Sequence, residues 1–403
     1  MKITILIFCC FVILSSDCSG PFPQGASAPR ATLGVPDETR VIGSESRLNE
    51  QATTLWKSRE IALGSQNALK AIHFSDERHG WIGGASATLY KTDDAGTNWR
   101  RITLDVPREM GVQHIFFVNE HTGWVVLQKA RDPTLEPPQQ PTFLLMSTRD
   151  GGLRWQSQYR GTNVTVTQLI FSDKENGWLT GVTYQTDSRK SIFILRTRDG
   201  GDHWKEVSDE LKRVSSTGAA NLNEGVMGIS SSGPDSAVVI TSDLILFSTA
   251  DQGQNWQRIG SLQGMYGTTD VIRRMGSGER GRLWNIGGSN SAHSGTRGVF
   301  FVEQDDHSWV KQVLANVFFY DAISLSQNRF LAAGLVARSI ELHGTYHATN
   351  EAVVLISTDG GKNWGFVYHN PRITSVNCIY IVNDSLAWAA GEAGLVLKLE
   401  DLH

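Results

Sequence analysis

One unit of about fifty residues recurs along most of this chain, and that recurrence limits the fold more than any other feature. Each unit opens on an alternating strand that ends in a polar turn, as in AIHFSDERHG (71–80). A short strand marked by an aromatic follows: GWIGG (80–84), GWVV (123–126), GWLTG (177–181), LWNIGG (283–288), FLAAG (330–334) and AWAAG (387–391), blurred in the fourth copy to AVVI (237–240). A third strand then runs into an Asp-Gly turn and a tryptophan. Its copies are LYKTDDAGTNW (89–99), LMSTRDGGLRW (145–155), LRTRDGGDHW (195–204), FSTADQGQNW (247–256) and ISTDGGKNW (356–364), with a degenerate VEQDDHSW at 302–309.

The closing tryptophans stand at 99, 155, 204, 256, 309 and 364, so their separations are 56, 49, 52, 53 and 55 residues. Four short strands and their turns fill that length, which is the blade of a β-propeller. A seventh unit begins at 374 and stops after a third strand, LVLKLEDLH (395–403). Its missing fourth strand should start with tryptophan, and LWKSREIAL (55–63) matches NWRRITL (98–104) and HWKEV (203–207). The sequence therefore predicts an all-β, seven-bladed propeller of four-stranded antiparallel blades over 51–403. Its N-terminal strand completes the last blade and closes a seam that would otherwise leave unpaired edges.

Residues 1–18, MKITILIFCCFVILSSDC, read as an export signal, because Lys2 precedes an apolar run from Ile3 to Leu14 that is too short to span a bilayer. Cys18 is a candidate for lipid attachment, although Asp17 and Ser15 depart from the usual lipoprotein pattern. A periplasmic or cell-surface location follows. Residues 19–50 are rich in Gly, Pro, Ser and charge and read as a flexible linker. Of the four cysteines, Cys9 and Cys10 would leave with the signal, so no disulfide framework is expected and Cys378 reads as a buried small hydrophobe. A formal charge of −4 argues against a nucleic-acid partner. No cofactor is implied, and a monomer is expected.

The motif Ser/Thr-x-Asp-x-Gly-x-x-Trp resembles a catalytic signature, but its chemistry suits a turn. A hydroxyl (Thr92, Thr148, Thr197, Thr249, Ser357) and a carboxylate (Asp94, Asp150, Asp199, Asp251, Asp359) can bond the turn's N–H groups, while a glycine takes the positive φ. Repetition in nearly every blade points to structure, since an active site is needed once.

These turns resemble those of the Asp-box (BNR) repeat superfamily, which includes sialidases. The fuller pattern, GWxxG followed by T/S-x-DGG-x-x-W, is most similar to the photosystem II stability/assembly factor-like family over roughly 52–403. That resemblance implies an exported, non-enzymatic propeller that binds an envelope or membrane protein during assembly of a complex. It also implies an arginine patch, which no motif here locates.

Propeller connectivity puts the Asp-box turns on one face and the longer connections on the other. The latter are 129–141, 184–191, 208–225, 289–298 and 335–350. They carry Arg131, Arg189, Lys190, Arg213, Arg297 and Arg338, candidates for binding an acidic segment, and the polar cluster Glu341, His343, Tyr346 and His347. The two histidines lie four apart in an apparent loop rather than on a helix, so no metal site is expected. The alternative is a glycan-binding or sialidase-like hydrolase propeller. Against hydrolysis, the inner strands KAIHF, HIFF, LIF and CIYIV read as apolar core without an arginine motif or paired carboxylates. Aromatics and carboxylates meeting in the central cavity would favour a glycan, and a basic rim a protein.

Overall fold

The computed structural model describes residues 41–52, 55–129, 141–185, 189–215, 224–262, 271–278, 281–291, 295–342 and 345–402. The candidate signal at 1–18, the linker as far as residue 40, Arg131 and His343 lie outside the described residues.

Seven antiparallel sheets follow one another in chain order, each meandering outward from an inner strand. The inner strands are Leu69–Phe74, Gly111–Phe117, Val164–Phe171, Val226–Ser231, Val271–Ser277, Val317–Ser324 and Val376–Asn383, in blades 1 to 7. Blade 7 takes its outer strand from the other end of the chain: Trp56–Glu60 pairs antiparallel with Val396–Asp401, Trp56 opposite Asp401. Trp56 is buried there, as the repeat requires.

Residues 41–50 correct the linker reading. Val41–Glu45 pairs in parallel with the outer strand of blade 5, Trp309–Ala315, and Arg47–Ala52 with that of blade 6, Asn363–Asn370. These blades thus have five strands. Ser44 Oγ donates to Gln312 Oε1 at 2.7 Å and Ser46 Oγ to the Gly361 carbonyl at 2.7 Å. An outermost strand faces solvent and can be polar throughout, so its composition does not distinguish it from a tether. Pairing covers two edges that would otherwise invite another chain.

Two connections expected as loops are ordered elements. Residues 208–215 form a helix, Ser208–Ser215, with Asp209 and Glu210 in its first turn, Lys212 and Arg213 in its last, and Leu211 buried. Residues 335–350 belong to a long ribbon in blade 6, Phe330–Leu342 against Thr345–Ser357. Glu341 pairs with Tyr346 and Ile340 with His347 in that ribbon, so the presumed polar loop is a hairpin. The side chains of Glu341, Tyr346 and His347 lie outside the described part.

The core lies between blades. The tryptophan of one second strand packs on the phenylalanine that ends the next inner strand: Trp81 on Phe117 (centroids 3.5 Å apart), Trp124 on Phe171 (3.8 Å) and Trp388 on Phe74 (5.3 Å). An Asp-box turn caps this layer. In blade 1, Thr92 Oγ1 accepts from Gly96 N–H at 2.9 Å, and Asp94 Oδ1 accepts from Thr92 Oγ1 at 2.9 Å and Asn98 N–H at 2.8 Å. The same bonds recur at Thr148/Asp150, Thr197/Asp199, Thr249/Asp251 and Ser357/Asp359. Backbone N–H donors, chiefly those of Asn98 and Arg154, hold the Asp94 and Asp150 carboxyls below the usual range.

Gly96 has φ +76°, and a Cβ there would stand 2.1 Å from the Trp388 ring. Gly96→Val is therefore expected to destabilise the protein by about 3 kcal/mol or more, from left-handed strain plus overpacking. Its thermal midpoint against wild type is the check.

Candidate functional site

Every inner strand carries a β-bulge at the same level. The register against the second strand shifts at Lys70, Gln113, Thr167, Met227, Arg273, Tyr320 and Asn377 in blades 1 to 7. A bulge re-aims a side chain out of the alternating pattern, here toward the axis. Each bulge lies in the first half of its strand, hence toward the face of the between-blade connections. Together with the residues after them, the bulges line most of a central cavity of about 300 Å³.

The inner strands are thus not the apolar core expected from KAIHF, HIFF, LIF and CIYIV. Their polar side chains stitch neighbouring blades together. His73 Nε2 donates to the Phe117 carbonyl at 2.9 Å, and Thr167 Oγ1 to the Val226 carbonyl at 2.7 Å. Gln168 Oε1 accepts from Ile229 N–H at 3.2 Å. Asp321 binds Arg274 of blade 5 at 3.1 Å and accepts from Ile379 N–H of blade 7 at 3.0 Å. Tyr380 Oη donates to the Phe74 carbonyl at 2.8 Å, and Asn377 Nδ2 to the Leu69 carbonyl at 2.9 Å. A side chain that satisfies a facing backbone group at the axis must be polar although buried.

Burial lowers His73 and His114 to about 4, leaving both imidazoles neutral at neutral pH. Burial also raises the Asp321 carboxyl, against the pull of Arg274 and the N–H groups of Ile379 and Ala322. Glu392, beside the mouth, holds Lys70 Nζ at 2.6 Å and Asn377 Nδ2 at 3.0 Å. Both carboxylates are therefore committed to structural partners. Neither stands as a proton donor beside a second, nucleophilic carboxylate, as retaining hydrolysis needs.

The cations sit on one half of the ring. Arg273 is exposed, with its guanidinium 5.2 Å from the Phe318 centroid and 5.8 Å from that of Tyr320. Arg274 and Lys70 complete the group, while blades 2 to 4 contribute Gln113, His114, Thr167, Gln168 and Met227. The signal for this cluster was the Arg-Arg pair in VIRRMGS (271–277), conspicuous in an inner strand once the blades are aligned.

The arginines singled out by loop position stand farther out. Arg189 and Lys190 border the second-to-third-strand connection of blade 3, and Arg297 occupies the matching place in blade 5. Arg213 grips Glu210 through two nitrogens, and Arg338 lies 3.7 Å from Glu351. The structure places them on the expected face but spread over blades 3, 5 and 6 and the helix after blade 3, and Arg213 and Arg338 face carboxylates. Among the described residues no group of three or more His, Cys, Asp or Glu could hold a metal ion. Cys378 is free and buried, and burial pushes its thiol up.

A sequence model of the family described as photosynthesis system II assembly factor YCF48 matches residues 48–157 and 147–287, more than half of the chain. The chain belongs to this family. Photosystem II assembly lipoprotein Ycf48 of Synechococcus sp. (strain CC9902) is 22% identical over 365 residues, 88% of this chain and 90% of its own. The chloroplastic photosystem II stability/assembly factor HCF136 of Oryza sativa subsp. japonica is 23% identical over 210 residues, 51% of this chain and 43% of its own.

Among solved structures, "YCF48 bound to D1 peptide" superposes with a TM-score of 0.56 at 20% identity, covering 87% of this chain and 98% of that one. YCF48 from Cyanidioschyzon merolae gives 0.57 at 16%, covering 86% and 99%. A GH74 enzyme of Niastella koreensis gives 0.55 at 12%, covering 85% of this chain but 53% of the enzyme, and shares the fold alone. The Ycf48 family members are assembly factors by name, not hydrolases.

Proposed function

We propose that this chain is a non-enzymatic, exported assembly factor that holds a segment of a membrane protein at the loop-side mouth of its central channel. The observation that carries this reading is the ring of bulges, which turns Arg273 toward the axis beside Arg274 and Lys70. Guanidinium and ammonium groups at the rim of a low-dielectric cavity favour a carboxylate, and Arg can grip it with two parallel bonds. The Ycf48 relatives are named lipoproteins, and one solved relative holds a D1 peptide. By extension, the partner here is a carboxylate-bearing peptide segment of a membrane protein complex. Arg189, Lys190, Arg297 and Arg338 form an outer rim that extends the contact. Cys18 is the proposed lipid anchor, with residues 19–40 as its tether.

Aromatic and carboxylate groups do meet in the cavity, a feature that would also suit a sugar. However, the Tyr380 hydroxyl and the carboxylates of Asp321 and Glu392 are engaged in stitching the ring, which favours the protein reading.

The test is an affinity pull-down from the native envelope, comparing wild type, Arg273→Glu, and a triple variant carrying Arg189→Glu, Arg297→Glu and Arg338→Glu. A membrane protein captured by wild type and lost with Arg273→Glu is the expected result. The triple variant should weaken capture by less. Capture unchanged in Arg273→Glu would move the site away from the channel.

A further inference from the structure

The junction between blades 4 and 5 lacks both members of the aromatic pair that fills the equivalent space at three other junctions. Strand pairing fixes the equivalence. Trp81, Trp124, Trp178 and Trp284 stand opposite the next-to-last residue of the inner-strand ladder in their own blades and Trp388 stands opposite Tyr380, whereas in blade 4 Val238 takes that place opposite Ser230 and in blade 6 Leu331 opposite Ile323. On the facing side, the position of Phe74, Phe117 and Phe171 is taken in blade 5 by Ser277.

The cap is altered at the same junction. Blade 5 carries the degenerate box VEQDDHSW, with Asp306 where Gly96, Gly201 and Gly253 stand in other boxes. Those glycines approach Trp388, Trp124 and Trp178 of the preceding blades. Blade 4 has no such tryptophan, and its neighbour has no such glycine. The paired losses leave a cavity of about 560 Å³ on the Asp-box face, bordered by Val238, Ser277, Trp256, Gln257, Glu303 and His307.

Its chemistry differs from that of the central channel. The floor is the apolar surface of Val238 and Trp256. The polar edge is built around Glu303, which is 2% exposed, accepts from Leu283 N–H at 3.1 Å and meets His307 Nδ1 at 2.9 Å. Among the described residues, the carboxylates of Asp251, Glu303 and Asp305 face the guanidinium of Arg282 around the rim. That balance disfavours an anion and favours a group that donates a hydrogen bond.

We infer that this cavity receives a tryptophan side chain from a partner protein, which supplies the indole that blade 4 lacks. A planar apolar ring fits the space that a tryptophan and a phenylalanine share at three other junctions, and its N–H meets the acceptor edge. Tryptophan pockets of this kind anchor protein interfaces. This second contact lies on the face opposite the proposed channel mouth, and it stands independently of that site.

The experiment titrates N-acetyl-tryptophanamide and indole into the full chain, followed by ligand-observed NMR. Wild type is expected to bind saturably. Val238→Trp should fill the cavity from within, weaken binding by about tenfold or more, and raise the melting temperature by burying its own ring. Ser277→Phe blocks the same space from the opposite wall and serves if Val238→Trp does not fold. Arg273→Glu should bind the probes as wild type does, so this result is separable from that of the channel. Absence of saturable binding in wild type, or equal binding in the blocked variants, would overturn the inference.

Discussion

A chain that begins at residue 64 is expected not to fold, whereas one that begins at residue 53 should keep its ring. The shorter chain loses Trp56–Glu60, the outer strand of blade 7, and exposes the edge of Val396–Asp401 beside blade 6. It also removes Trp56 from a core shared with Leu331, Val354, Ile379 and Leu397. Loss of a buried tryptophan alone costs about 3–5 kcal/mol, a large fraction of the roughly 5–15 kcal/mol by which domains are stable. The chain starting at 53 loses only the parallel strands on blades 5 and 6 and should show a lowered but cooperative melt. Appending LWKSREIAL after residue 403 through a short linker should restore the shorter chain. Circular dichroism and size exclusion report each outcome. Failure of the appended strand to rescue would mean that closure is not what the N-terminal segment supplies.

The second large effect is loss of stability in mild acid. His73 and His114 titrate at about 4 in the folded ring, against 6.5 for the free side chain. Below pH 6.5 the unfolded chain therefore binds protons that the folded chain refuses, and stability falls as pH falls. The contribution of each imidazole is fully present above pH 6.5 and is lost by about pH 4, roughly 3 kcal/mol apiece. Arg274 adds repulsion in the same direction for both. Asp321 acts oppositely, because burial raises its carboxyl and acid relieves that cost, so it offsets part of the loss toward the acid end of the window. The Asp-box carboxyls, held low, add their own loss only below the ordinary carboxylate range. The check is the thermal midpoint from pH 7.5 to pH 4.5. Wild type should fall steeply, and a His73→Gln, His114→Gln variant, which keeps an N–H donor at each site, should fall much less. Parallel slopes would sink this account.

The fold was legible because its determinants repeat. A hydroxyl, a carboxylate and a glycine at fixed offsets from a tryptophan specify one turn wherever they occur, and the tryptophan spacing counts the blades. Val41–Glu45 and Arg47–Ala52 were not legible, since a solvent-facing outermost strand needs no apolar alternation and residues such as Ser46 act through partners that are remote in sequence. The ribbon at 335–350 was missed because Gly344, between its two strands, and its scattered polar residues carry loop signals. The channel was missed for another reason. A bulge displaces a single residue from the alternation of its strand, so Arg273 and Tyr320 look incidental until seven inner strands are aligned. His73, Gln168 and Asp321 are polar because they serve the adjacent blade, a need invisible within one repeat.

The central claim is that the loop-side mouth of the channel holds the membrane-protein segment. Tyr320 stands in the ring of bulges at that mouth, and Leu153 is 73% exposed in the Asp-box turn of blade 2 on the other face. A photo-crosslinking phenylalanine analogue placed at either position and irradiated in the native envelope tests the claim directly. An adduct with a membrane protein from position 320 and none from position 153 is the predicted result; an adduct from position 153 alone would contradict it.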